Sequence, residues 1–460
     1  MDEARIHLLN DDPPAPDGRW VLYWMQAAQR ERFNPALEYA VRRANAHGVP
    51  VLATVGVDAG YPEANARHFA FMLEGLAEVE RALAARGIGF TIGLGVPHEV
   101  ALGLADEAVE VVCDRGYLRH QRRWRRMLAD NAGRRVTEIE GEVVVPVAEA
   151  SDKREFAART LRPKLNALRD RFVGGLSRTR PAQPMASRAV PASELAPTQV
   201  DAALDRLGAD RRVAPVRHFR GGTSYASRQV TRFLRTALAG YADDRNDPAT
   251  PRVSLLSPYL HFGQISPVEI AARVASARGC RAADREAFLE ELVVRRELAV
   301  NYVWFEPDYD RYEALPEWAR KTLAEHAGDT RPARYTTAEL EAADTDDRYW
   351  NAAMREMTAT GYMHNHLRMY WGKKILEWSA TPSAAFATVL ALNNRYFLDG
   401  RDPNSYANVG WLFGLHDRPW QERPVFGKVR SMTAAGLERK FDMDRYTARV
   451  AALIETESAG

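Results

Sequence analysis

The sequence is poor in cysteine, with only Cys113 and Cys280 among its 460 residues. Two widely separated cysteines exclude a disulfide scaffold and a four-thiolate metal site, and we expect no bound metal. Such scarcity fits a reducing, intracellular compartment. An excess of one charge is also missing, since 63 basic and 61 acidic residues leave a formal net charge of +2. Net charge therefore does not by itself indicate a nucleic-acid-binding protein.

Long apolar runs are absent as well. No stretch approaches the length of about 20 apolar residues that spans a membrane. The N-terminal residues 1–7 lack the basic-then-apolar pattern of a signal peptide. We therefore expect no membrane association and a cytoplasmic location. The composition, 46% hydrophobic and 27% charged, is that of a globular protein, and the length favours two or more domains.

What the sequence does contain, between residues 20 and 146, is an alternation of short β-branched runs with amphipathic stretches. Alternation of this kind predicts a doubly wound parallel sheet, and we assign residues 1–170 to an N-terminal α/β domain. The predicted strands are residues 20–25, 49–57, 89–93, 109–113 and 136–145.

The second half of the chain has a helical period. Residues 171–225 are rich in proline and small residues, which predicts a long inter-domain linker with a short helix at 200–207. Residues 226–460 have a helical period and lack the alternation of a strand, so we predict an all-α domain. Its predicted helices are residues 229–239, 267–277, 285–302, 349–360, 362–378 and 384–397.

Residues 363–378 carry an unusual concentration of aromatic and charged side chains. Trp371 and Trp378 are seven residues apart, so on one helix they share a face about 10.5 Å apart along the axis. This spacing suits electron transfer between indoles, with Trp350 on the preceding segment as a third step. The arrangement favours a site for a flat, anionic, redox-active cofactor.

Four motifs at these and neighbouring positions resemble those of the photolyase/cryptochrome flavoproteins, and more closely those of the class II cyclobutane pyrimidine dimer photolyases. The resemblance covers residues 20 to 445. It rests on MHNHLRM (363–369), LSPYLHFG (256–263), EELVVRREL (290–298) and the class II-like ERPVFGKVR (422–430).

The resemblance implies that the helical domain binds FAD. Arg368 and Asp399 would form an ion pair beside the flavin ring, where a charge tunes the cofactor. Asn393 is preferred over Asn404 and Asn408 as the hydrogen-bond partner of flavin N5. Trp371 would lie next to the flavin. The full set of expected cofactor residues is Tyr241, Ser254, Leu255, Leu256, Ser257, Arg295, Asn365, Arg368, Trp371, Asn393, Asp399 and Asp402.

The same resemblance implies that reduced FAD repairs pyrimidine dimers in DNA by light-driven electron transfer to a flipped-out dimer, as in a deoxyribodipyrimidine photo-lyase. The residues expected at the reacting centre are Glu291, Trp411, Met369 and Asn393, and Trp350, Trp371 and Trp378 would form the electron-transfer chain. Other classes of the family have a tryptophan about three residues after this glutamate, where this sequence has Val294 and Arg295, so the opposite face of the dimer is unassigned. Basic residues suit phosphate contacts, and the expected DNA-binding residues are Arg245, Arg423, Lys428 and Arg430.

Other functions stay open from the sequence. They are a cryptochrome-like photoreceptor, a (6-4) photolyase with His364 or His366 as the acid, and a nucleotide-binding oxidoreductase. A second, antenna chromophore of the deazaflavin or folate type is possible, and the basic run 119–126 is either a solvated helix face or part of its pocket. We expect no obligate protein partner.

Overall fold

The computed structural model describes residues 1–459, and its N-terminal part is a six-stranded sheet. The strand order is β1-β6-β5-β2-β3-β4. Five strands are parallel, whereas β1 pairs antiparallel with β6 at one edge. The strands are β1 (Ile6–Leu8), β2 (Trp20–Trp24), β3 (Val51–Val57), β4 (Gly89–Leu94), β5 (Ala108–Asp114) and β6 (Val136–Ile139).

The predicted parallel sheet is confirmed, with two differences. The edge strand β1 was not predicted, because three half-exposed residues give no alternation that a sequence can reveal. The last strand ends at Ile139 rather than at residue 145. Val143, Val144 and Val145 are still buried, and the carbonyls of Val143 and Val144 accept hydrogen bonds from Arg5. A buried apolar run is therefore a loop here, held by a buried arginine.

Helices cover both faces of this sheet, as βαβ connections require. Asn34 caps the first helix through its side chain, and Gly48 ends that helix in the left-handed conformation. The helices are α1 (Pro35–His47), α2 (Ala66–Ala84), α3 (Pro97–Ala105), α4 (Arg119–Asn131), α5 (Val147–Ala150) and α6 (Ala158–Phe172).

The proline-rich segment that follows α6 packs along the edge strand β4. The amide of Met185 donates to the carbonyl of Gly87, and the amide of Glu194 donates to that of Ile92, each at 2.8 Å. Its one α-helix, α7 (Val200–Leu207), has the predicted bounds. The segment thus shields an edge that would otherwise expose unpaired backbone groups. The boundaries of the linker and of the two domains stay a prediction.

The remainder of the described chain, from residue 223 to residue 459, is helical. The predicted helix 285–302 is divided, because residues 290–295 form a π-helical turn between two α-helices. The helices are α8 (Thr223–Thr236), α9 (Tyr241–Asp244), α10 (Ser257–His261), α11 (Pro267–Ala275), α12 (Ala282–Leu289), the π-helix Glu290–Arg295, α13 (Arg296–Phe305), α14 (Glu317–Glu325), α15 (Thr337–Ala342), α16 (Arg348–Thr360), α17 (Asn365–Trp378), α18 (Pro382–Tyr396), α19 (Pro403–Leu412), α20 (Ala434–Glu438) and α21 (Met443–Ala459).

Buried polar contacts join the sheet to the helical part. Arg67, at the start of α2, is 4% exposed and donates to the main-chain carbonyls of Met357, Thr358 and Tyr396. His68 contacts the carbonyl of Phe397 at 3.1 Å. These carbonyls belong to the ends of α16 and α18, where a helix leaves acceptors unsatisfied. Within the described residues, none of the helices combines the length and apolar character needed to cross a bilayer.

Candidate active site

Two cavities in the helical part share a wall. The smaller has a volume of about 250 Å³ and the larger, an open cleft, about 960 Å³. Two cavities that share lining residues can hold two bound molecules close to each other. The shared lining residues are Arg245, Asn246, Glu291, Asn365, Asn404 and Asn408.

The floor of the smaller cavity contains an ion pair between α17 and the loop after α18. Nη2 of Arg368 lies 3.0 and 3.2 Å from the two carboxylate oxygens of Asp399, and both side chains are largely buried. The guanidinium carbon lies 3.8 Å from the ring centre of Phe397, and Nε donates to the carbonyl of Met363. The contacts of Arg368 with Phe397 and Met363 therefore fix the pair from the side of the arginine.

The turn before α10 forms another side of this cavity. Leu255 has a positive φ of 54°, a conformation that costs a residue other than glycine about 1–3 kcal/mol and that concentrates at ligand sites. Gln229 of α8 donates to the carbonyl of Ser254 at 2.9 Å and holds the turn. Ser254, Ser257 and Tyr241 line the cavity with it. This wall offers neutral hydrogen-bonding groups.

Asp402 stands at the start of α19 and lines the same cavity. Its carboxylate accepts hydrogen bonds from the amide and side chain of Asn404 and lies 3.3 Å from Nδ1 of His261. Burial opposes its ionisation, but His261, Arg296 and the amide of Asn404 together outweigh burial and lower the pKa of Asp402 to about 2. Asp402 is thus a fixed negative charge beside the cavity.

Most of the predicted cofactor residues are brought together here. The predicted residues that line the smaller cavity are Tyr241, Ser254, Leu255, Leu256, Ser257, Asn365, Arg368, Asp399 and Asp402.

Three predicted cofactor residues lie elsewhere. Arg295 lines the outer cleft, is half exposed and pairs with Glu290 at 3.1 Å, whereas its neighbour Arg296 lines the smaller cavity. The two arginines could not be distinguished from sequence because the π-helical turn changes the rotation per residue at this point. Trp371 does not line the smaller cavity and packs against Phe397, with ring centres 6.3 Å apart.

Asn393 is the third. It is 6% exposed on α18 and its amide donates to Oδ1 of Asn394, outside the lining of the cavity. Asn404 and Asn408 lie in the wall that the two cavities share. The preference for Asn393 as the partner of flavin N5 stays a prediction.

The three tryptophans form one buried cluster. The order of their rings in space could not be predicted from their spacing in the sequence. Trp350 is stacked on Trp371, with ring centres 6.5 Å apart and an angle of 12°. Its other neighbour is Trp378, at 5.4 Å. The indole nitrogen of Trp350 also donates to the carbonyl of Trp371 at 3.0 Å. Trp350 is thus the central member and not the outer one, because α16 packs across α17 at the midpoint between the other two rings.

The outer cleft contains the residues expected to meet a substrate. Glu291 lies on the π-helix and its Oε1 is 2.8 Å from a guanidinium nitrogen of Arg245. Met369 and Trp411 line the same cleft. Arg245, expected at the DNA backbone, is therefore a wall residue that holds Glu291.

The expected DNA-binding residues of the 422–430 segment differ in position. Arg423 is exposed and lines the cleft. Arg430 is partly exposed and lies between two indoles, 5.2 Å from the ring centre of Trp411 and 4.1 Å from that of Trp420, with Asp417 at 3.4 Å. Lys428 is half exposed, 3.9 Å from Glu422, and lines neither cavity.

Trp420 was not identified from the sequence. It is 38% exposed, one of the few large apolar side chains on the surface, and lines the cleft. An isolated tryptophan in a Pro- and charge-rich segment is the one signal that could have singled it out.

The two histidines of the 363–369 motif are neutral near pH 7. Burial lowers the pKa of His364 to about 3 and that of His366 to about 4. His364 is 1% exposed, contacts the carbonyl of Arg245 and accepts from the amide of His366. Its position is that of a helix cap and not of an acid.

Comparison with known proteins identifies the family and the fold. The family model described as DNA photolyase matches residues 21–186. A deoxyribodipyrimidine photo-lyase of Methanothermobacter thermautotrophicus is 44% identical, over 98% of this chain and 99% of its own. One from Oryza sativa subsp. japonica is 38% identical over 97% and 90%. A class III photolyase of Agrobacterium tumefaciens has the same fold, with a TM-score of 0.72 at 22% identity, over 95% of this chain and 87% of that chain.

Proposed function

The chain belongs to the deoxyribodipyrimidine photo-lyase family, and we propose that it uses light and FAD to repair cyclobutane pyrimidine dimers in DNA. The observation that carries the proposal is the wall between the two cavities, through which a cofactor in the smaller cavity would face a substrate in the cleft. We further propose that it is of class II, from the segment 422–430.

The donor set of the smaller cavity fits a flavin. The Arg368–Asp399 pair would lie beside its ring, and Ser254, Ser257 and Arg296 would bind its anionic part. When bound and reduced, FAD supplies the electron that opens the cyclobutane ring and takes it back afterwards. The chain provides orientation, exclusion of water and fixed charges.

In the cleft, Trp411 would stack on the flipped dimer and Glu291 would bind its polar edge. Damaged pyrimidines stack poorly, so they are flipped out at a lower cost than normal bases. Arg245 lies 2.8 Å from Oε1 of Glu291, which leaves Oε2 as the oxygen that we assign to the substrate. That oxygen is available to accept a pyrimidine N–H. Met369 adds a soft contact surface.

The four basic residues that were predicted to contact the DNA backbone divide into two groups. Arg423 and Lys428, both exposed, would bind the DNA backbone. Arg430 and Arg245 would instead shape the cleft, because each is already held by a carboxylate, from Asp417 and Glu291.

The proposal is tested with reduced, FAD-loaded protein and an oligonucleotide that contains one thymine dimer. Blue light should convert the dimer to two thymines, and darkness should not. Glu291→Gln should reduce the yield per photon while FAD stays bound, whereas Glu286→Gln, an exposed carboxyl on α12, should behave as wild type. Absence of repair by FAD-loaded wild type under light would overturn the proposal.

Repair of the (6-4) photoproduct receives no support from the site. That reaction would need His364 or His366 as an acid, and burial keeps the pKa of both far below 7. No particular contact favours a photoreceptor over an enzyme.

We propose a cavity of the N-terminal sheet as the candidate site for a second chromophore. A cavity of about 90 Å³ lies at the carboxyl ends of β2 and β3, where α/β sheets bind ligands. Gln121 and Trp124 of α4 line it, but the arginines of the 119–126 run do not. Whether it holds a deazaflavin, a folate or nothing is tested by the absorption spectrum of protein purified from its own host.

A further inference from the structure

Lys373 is a buried amine directly behind the expected dimer platform. Its side chain is 0% exposed and its Nζ donates to the carbonyl of Leu412. The same nitrogen lies 5.5 Å from the ring centre of Trp411. Among residues 1–459, no carboxylate lies within 4 Å of it. Lysine is almost never fully buried unless it is paired, so this position needs an explanation.

Packing does not explain the amine. At the neighbouring Gly372, a Cβ would lie 2.2 Å from Cδ1 of Leu412, so α17 and α19 approach each other closely here. A close helix contact of this kind is better filled by an apolar side chain than by a desolvated ammonium group. The lysine must therefore provide something that an apolar chain would not.

The end of α19 is what the amine stabilises. The amide of Phe413 satisfies the carbonyls of Gly410 and Trp411, which leaves the carbonyl of Leu412 as an acceptor at the C-terminus of the helix. A cation at a helix C-terminus is favourable, and a cation near an indole face is favourable too. Both interactions act on the turn that carries Trp411.

We propose that Lys373, in its charged form, is a positioning residue that holds Trp411 in the orientation that receives the dimer. The inference rests on the proposed function and assigns a further specificity-determining residue to it. Lys373 does not touch the substrate. It acts through the carbonyl of Leu412 and through the indole.

The charge of Lys373 responds to pH in the physiological range. Burial lowers the pKa of Lys373 to about 7, while Asp417 raises it and Arg430 lowers it further. These two are the charged groups that face it, and both belong to the segment after α19. The ammonium form is present below pH 7 and is lost as the pH rises through 7. The orientation of Trp411, and with it dimer binding, should follow this titration.

The test is the affinity of FAD-loaded protein for dimer-containing and undamaged oligonucleotides between pH 6 and pH 8.5. In wild type, the preference for the dimer should fall as pH rises, by roughly two- to thirtyfold, the range for a cation over an indole. Lys373→Met should show the low preference at every pH. Lys373→Arg, which stays charged, should show a high preference with no step near pH 7. Lys321→Met, an exposed lysine on α14, should keep the wild-type profile.

The outcomes separate this inference from the proposed function. If wild type repairs dimers but Lys373→Met keeps the wild-type pH step, Lys373 is a packing residue and the inference fails. If Lys373→Met does not fold, Lys373→Arg decides the question. The inference fails if the dimer preference of Lys373→Arg still falls near pH 7 as in wild type. Lack of light-driven repair in wild type would instead overturn the proposed function.

Discussion

The ion pair between Arg368 and Asp399 gives the sharpest quantitative prediction. Their side chains are 16% and 12% exposed, and the guanidinium contacts both carboxylate oxygens. Asp399→Leu would leave a buried cation without its anion. Removing one partner of a buried pair costs about 3–5 kcal/mol of unfolding free energy, and the residual exposure places this one near 3 kcal/mol.

Replacing both partners should cost less than the two single changes together. Arg368→Met alone loses the stacking on Phe397 and the bond to Met363 as well as the pair. In the double variant no buried charge remains, so we expect a coupling energy of about 2–3 kcal/mol. Chemical denaturation of wild type, both single variants and the double variant, without FAD, measures it.

A matched control is the pair Arg395–Glu341, at 2.7 Å with 38% and 26% exposure. Solvent screening should keep its coupling below about 1 kcal/mol. The two cycles should also differ in FAD retention during gel filtration, which only the variants at 368 and 399 should lose. Equal coupling energies in the two cycles would refute the view of Arg368–Asp399 as a buried pair that shapes the cofactor cavity.

Three further outcomes are expected. Trp350→Phe should slow light-driven reduction of oxidised flavin as much as Trp371→Phe, because Trp350 is the central ring. Both variants should repair dimers normally once the flavin has been reduced chemically. Photoreduction at the wild-type rate in both variants would contradict the proposed electron-transfer path. Trp411→Ala should remove about 1–3 kcal/mol of binding free energy from damaged DNA only. Arg423→Ala should instead weaken binding of damaged and undamaged DNA alike, and should reduce the slope of log affinity against log salt concentration by up to about one unit. Affinities for both DNAs across a salt series distinguish the two variants. Burial raises the pKa of Glu297 from 4.5 to about 8, so between these pH values the native state binds more protons than the unfolded chain and its stability should fall as pH rises. Glu297→Gln should reduce this pH dependence of the melting temperature. An unchanged pH dependence would show that another group causes it.

The local pattern of the sequence was sufficient for much of this protein. Period-two and helical repeats depend on neighbours along the chain, so the parallel strands, the α7 helix and most helices of the second half were predictable within a few residues. The same holds for Arg368 and Asp399, which two separate motifs predict at one cofactor and which line one cavity. Such motifs fix which residue types a site contains, because each carries its own chemistry.

Distances between elements were decided by tertiary packing alone. Spacing on α17 placed Trp371 and Trp378 on one face, but only the crossing of α16 put Trp350 between them. A π-helical turn, which has no clear sequence signature, exchanged Arg295 for Arg296 at the cavity. The sequence by itself therefore determined the fold class and the residue types that line the proposed cofactor cavity. The structure decided the order of the tryptophans, the common wall of the two cavities and the burial of Lys373 behind Trp411, because these depend on contacts between residues far apart in the chain.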